Sequence, residues 1–86
     1  MNISRTEQKV LHALALGGRI EVIRAGNGRV TEATCFTREG YGLEALTLDI
    51  FRKLRRKGLI ESRAGAPYRI SHLGRMRVAA RPDNRG

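Results

Sequence analysis

The chain is poor in sulfur, aromatic rings and acid. Its 86 residues include one Cys, no Trp, two Phe and two Tyr, and eight Asp or Glu against seventeen Lys or Arg, for a formal net charge of +9. A single thiol cannot build a disulfide framework. No apolar run approaches the roughly 18 residues of a membrane span. The N-terminus also lacks the long apolar stretch of a secretory signal, so the expected location is the cytoplasm and no membrane partner is expected. A large cofactor-binding domain is excluded by length alone. Hydrophobic residues at 41% nevertheless support a core, which excludes a disordered basic tail as a description of most of the chain. The expectation is one small basic domain over residues 1–80, with a mobile tail at 81–86.

Converging catalytic or metal-ligating side chains are missing too. His12 and His72 stand apart from each other and from Cys35, so no ligand set or acid–base pair forms by spacing. No phosphate loop, Ser-His-Asp order or nucleophile elbow is present. His12 reads as a packing or surface residue of a helix, His72 as exposed, and Cys35 as a small buried hydrophobe beside Phe36. Tyr41 and Tyr68 have rings able to stack on bases, although Tyr68 fits the core equally well. The expectation is a protein that is not an enzyme, with no metal, cofactor or small-molecule substrate.

What is abundant is Arg, and it is unevenly placed. Residues 1–51 hold six basic and six acidic side chains. Residues 52–86 hold eleven basic ones against Glu61 and Asp83, so the whole excess lies there. Fourteen of the seventeen basic residues are Arg, whose fork suits phosphate or carboxylate. This points to an anionic macromolecule as partner, either nucleic acid or an acidic protein surface. The plainer reading is a solvated face that maintains solubility.

Local signals predict the element order. Ser4-Arg5-Thr6-Glu7 has capping-box spacing, and Val10, Leu11 and Leu14 recur at helical intervals, giving a helix over about 5–16 that stops at Gly17-Gly18. Two β-prone runs flank Gly26-Asn27-Gly28 and predict a hairpin over roughly 19–37. Residues 37–42 read as a loop. Leu43, Leu46, Leu48, Ile50, Phe51 and Leu54 mark one or two helical segments ending at Gly58. On a helical wheel Ile50, Phe51 and Leu54 share one side, with Arg52, Lys53 and Arg56 opposite. Part of the basic cluster, Arg55, Arg56 and Lys57, also suits the negative end of the helix dipole. Leu59 to Arg63 and Tyr68 to Ile70 predict an antiparallel ribbon. Ser71 then caps a last helix containing Leu73, Met76 and Val78, with Arg75 and Arg77 on its solvent face. The candidate binding residues are Arg52, Lys53, Arg55, Arg56, Lys57, Arg63, Arg69, Arg75 and Arg77.

This order, an α+β arrangement, resembles a winged helix in its second half. Leu54 followed by Gly58-Leu59-Ile60 resembles the passage from recognition helix to wing, and Tyr68-Arg69-Ile70-Ser71-His72-Leu73-Gly74 resembles the wing's return strand and the closing helix. The hairpin at 19–37 departs from that pattern, because it stands where a second helix is usual. Over nearly its full length the chain resembles a narrower group, the YjhX-like toxin family. The resemblance rests on Met1 to Arg5 with Glu7-Gln8, on Leu11-His12, and on Gly17 to Ile20 with Ile23-Arg24. It continues through Gly28 to Thr31, Arg38 to Gly40, Lys57 to Ile60, Pro67 to Ile70, and Arg81 to Arg85. It implies a toxin of a toxin–antitoxin pair that binds and inhibits bacterial DNA topoisomerase I, with an acetyltransferase-like antitoxin encoded alongside. The alternative expectation is a winged-helix DNA-binding protein that contacts phosphates through the 48–57 helix and the 59–70 wing.

Overall fold

The computed structural model describes residues 2–79, so the tail expected at 81–86 lies outside the described residues. The first helix, α1, runs Arg5–Ala15. Its capping box forms as the spacing predicts: the Glu7 amide donates to Ser4 Oγ at 3.1 Å, and the Ser4 amide donates to Glu7 Oε1 at 2.8 Å. Val10, Leu11 and Leu14 face inward from one side of the helix and are at most 2% exposed.

The predicted hairpin consists of β1 (Arg19–Arg24) and β2 (Val30–Phe36), antiparallel with Ile20 opposite Cys35. A third strand, β3 (Gly42–Leu43), pairs with the end of β2 and makes a sheet of order β1-β2-β3. Residues 37–41 are a loop as read, closed by the Thr37 amide donating to Tyr41 O at 2.8 Å, and it joins β2 to β3 in a second hairpin that takes Gly42 from the expected loop and Leu43 from the expected helical stretch. Two residues are too few for a period-2 pattern, and β3 exists because β2 offers it an edge.

Thr47 caps α2 (Leu48–Arg56) by accepting from the Ile50 amide at 3.2 Å. Of the one or two helical segments expected from Leu43 to Gly58, only this one forms; Leu43 is on β3 and Leu46 is a buried core residue ahead of the helix. Beyond α2 the chain reverses at Gly58, whose φ of +74° is left-handed and suits a residue without Cβ. The ribbon β4 (Ile60–Glu61) and β5 (Arg69–Ile70) follows, with Ile60 opposite Ile70. A bridge between Ile20 and Tyr68 joins this ribbon to β1 through amide–carbonyl bonds of 2.8 and 2.9 Å.

The last helix, α3 (His72–Ala79), begins at Ser71. The Ser71 hydroxyl accepts from the Gly74 amide at 3.0 Å and donates to Gly58 O at 2.6 Å, locking α3 to the end of α2. Gly74 lies so close to the ribbon that a Cβ there would collide with Leu59 O and the Ile70 side chain. That contact selects the buried side of α3. It leaves Met76 exposed, where the sequence places it among the inward residues.

Among the described residues, one core joins α1, the sheet, α2 and the ribbon through thirteen buried hydrophobic residues. At its centre the rings of Phe51 and Tyr68 meet edge to face, 5.0 Å apart at 88°. The architecture is α+β, and strands rather than a helix fill the chain between α1 and α2.

Candidate partner-binding surface

The surface is built on α2. Phe51 and Leu54 are fully buried on its inner side, which turns Lys53 and Arg56 to solvent and leaves Arg52 half-buried at the edge. Asp49 in the first turn and Lys53, Arg55 and Arg56 in the last complement the helix dipole. The ion pairs among the described residues are Arg19–Glu21, Lys53–Asp49, Lys57–Glu7 and Arg63–Glu61. Arg52, Arg55 and Arg56 have none. Lys53 meets Asp49 at 3.3 Å, but both side chains are well exposed, so the pair is weak and easily exchanged for a partner. Arg55 holds its guanidinium carbon 5.3 Å from the centre of the Phe51 ring, which restrains the fork at the helix surface.

Lys57 belongs to a different environment. Its ammonium donates to both Glu7 carboxylate oxygens at 2.9 Å and to Asn2 O at 2.5 Å. Glu7 is 2% exposed. Burial pushes its carboxyl up, but bonds from the Ser4 amide and the Lys57 ammonium outweigh burial and hold it below its ordinary value. Lys57 therefore closes a seam between α1 and α2. Placing it with the phosphate-facing cations misses this, because Glu7 is fifty residues away in the chain and already explained by its cap.

The other candidates divide similarly. Arg69 donates to Gly17 O at 3.3 Å and Gly18 O at 3.2 Å, tying β5 to the carbonyls just past α1. Arg63, beyond β4, has a side chain 86% exposed and only a 3.5 Å contact with Glu61. Arg75 and Arg77 are exposed on α3. The free cations thus lie on α2, near the ribbon and along α3, while Lys57 and Arg69 brace the fold.

One cation that sequence reading leaves out stands beside this surface. Arg29, at the tip of the β1–β2 hairpin, lines a notch of 320 Å³ together with Arg52 and Arg55. No local signal marks it, because only the fold-back of the hairpin onto α2 puts Arg29 there. Elsewhere, Cys35 is fully buried and burial raises its thiol, while His12 and His72 are exposed. Among the described residues, no three His, Cys, Asp or Glu side chains gather as a metal site, and no helix is long and apolar enough to cross a membrane.

These features define a small α+β protein whose α2 carries three arginines outside any ion pair among the described residues. Residues 1–85 match the model of the YjhX toxin family, described as "Putative toxin of bacterial toxin-antitoxin pair", and the chain belongs to that family. It is similar to UPF0386 proteins of Ruegeria sp. (strain TM1040), at 61% identity over 99% of this chain and all of the relative, and of Beijerinckia indica, at 59% with the same coverage. The UPF0386 protein of Aliivibrio fischeri is 53% identical over 99% of this chain and its own full length. No solved structure matches the chain. Membership in a toxin–antitoxin family implies an antitoxin as a partner.

Proposed function

We propose that the protein is a cytoplasmic, non-enzymatic toxin that inhibits bacterial DNA topoisomerase I by binding an acidic face of that enzyme. Its antitoxin on this reading is an acetyltransferase-like protein encoded alongside. The observation that carries the binding mode is the outer side of α2, where Arg52 and Arg56 lack an ion-pair partner and Lys53 has only an exposed one. Such a face steers an oppositely charged protein and gives an association that weakens with salt. The test is relaxation of supercoiled plasmid by topoisomerase I with increasing toxin. The native protein inhibits, less so as salt rises, and the combined Arg52→Glu, Lys53→Glu, Arg56→Glu variant does not. Absence of inhibition by the native protein, or equal inhibition by the variant, overturns the reading.

A second reading is favoured by one arrangement: α2 leads through Gly58 directly into the β4–β5 ribbon, as a recognition helix leads into a wing. On it the protein binds DNA phosphates through α2 and the ribbon, with Arg63 reaching the backbone. A gel shift with random duplex at low salt supports it, and no shift removes it.

A further inference from the structure

We propose that the notch between the hairpin tip and α2 is a seat for a phosphate group, and that Arg29 is its missing third cation. The lining is Gly28, Arg29, Val30, Phe51, Arg52 and Arg55, so three arginines and no acidic residue border it. Its 320 Å³ lies at the small end of ligand clefts, about 300–1,000 Å³, a size for one oxyanion with water and too small for a folded protein segment. Three forks placed around one concavity offer more donors than a carboxylate can accept, whereas a phosphate presents several oxygens in three dimensions.

The notch has a rigid floor and braced walls. Val30 and Phe51 are buried at its base, at 5% and 0% exposure. Arg55 is stacked against the Phe51 ring. The turn that carries Arg29 is held from behind, because Arg24 donates to Gly28 O at 2.9 Å and the Arg29 amide donates to Asn27 Oδ1 at 2.9 Å. The Arg29, Arg52 and Arg55 side chains enter no ion pair among the described residues, so holding them near one another is a repulsion that a bound anion relieves.

The phosphate has two sources, a nucleic-acid backbone or a free phosphate compound. The backbone source deepens the DNA reading above and rests on it. The free source does not. The 86-residue chain is titrated at low salt with a short DNA duplex, with inorganic pyrophosphate and with poly-glutamate, following the arginine Nε–H and Gly28 amide NMR signals. Seating of either phosphate source shifts the Arg29, Arg52 and Arg55 signals together. Arg29→Gln, a change in an exposed turn that leaves the fold intact, weakens binding about tenfold at roughly 50 mM salt and lowers the salt slope by about one.

A duplex that binds the native protein and Arg29→Gln equally overturns the seat while the DNA reading stands. Pyrophosphate binding without duplex binding removes the DNA reading and leaves the seat with a free phosphate ligand. Shifts with poly-glutamate alone, or with none of the three, overturn the seat.

Discussion

Arg56 and Lys57 are adjacent in the chain and carry the same charge, yet they belong to opposite regions of the molecule. Arg56 faces solvent on α2 without an ion-pair partner. Lys57 turns into the seam between α1 and α2, where it satisfies the nearly buried Glu7 carboxylate. Two successive side chains on a helix point about 100° apart, which is enough to separate a surface cation from an interior one. A run of basic residues is therefore not one site. Arg69 repeats the lesson on the ribbon, where its guanidinium is held by two backbone carbonyls. What distinguishes the regions is whether each charge has a partner within the fold.

The contrast between the inner, seam and outer positions of α2 can be tested in order of expected effect. Leu54→Ala on the inner side removes a fully buried side chain and should cost about 2–5 kcal/mol in chemical denaturation. A cost below about 1 kcal/mol would mean that the core does not close over α2. Lys57→Met strands the Glu7 carboxylate and should cost about 2–3 kcal/mol, below the range for fully buried pairs because the Lys57 side chain is 25% exposed.

The seam also has a pH signature. Because the Glu7 carboxyl lies lower in the folded protein than in the unfolded chain, its contribution is fully present above the ordinary value near 4.3 and is lost as pH falls through the depressed one. The stability gap between the native protein and Lys57→Met should accordingly narrow in urea titrations below about pH 4. A gap that stays constant into that acid range would show that the pair contributes nothing. The smallest effect on stability belongs to the outer side. Reversing Arg52, Lys53 and Arg56 to Glu should leave the melting temperature nearly unchanged, at about 0.5 kcal/mol or less per site, while removing partner binding. Strong destabilisation by that variant would erase the distinction between the two regions.

Much of this fold was legible before the structure, in particular places. The capping box at Ser4 and Glu7, the apolar spacing of α1 and the Gly26-Asn27-Gly28 turn are short-range signals, and each element they predict is present. The burial of Cys35 and Leu54 and the exposure of Lys53 and Arg56 also follow from alternation and helical period. Four features did not show. β3 is two residues long and depends on the edge that β2 offers, and Met76 is exposed because Gly74 takes the contact with the ribbon. The binding candidates lose Lys57 to Glu7, and Arg29 joins Arg52 and Arg55 only when the hairpin folds back.

By itself the sequence determined α1 and its start, the β1–β2 hairpin, the β4–β5 ribbon, which side of α2 is apolar, and that the excess charge lies after residue 51. These depend on neighbours within a few residues, through caps, periodicity and turn residues. The tertiary structure alone decided which cations are free to meet a partner. That depends on charges and carbonyls brought together from distant parts of the chain: Glu7 against Lys57, Gly17 and Gly18 against Arg69, and Arg29 across from Arg52 and Arg55. An ionic contact is set by distance in space and by burial, and neither is carried by local spacing.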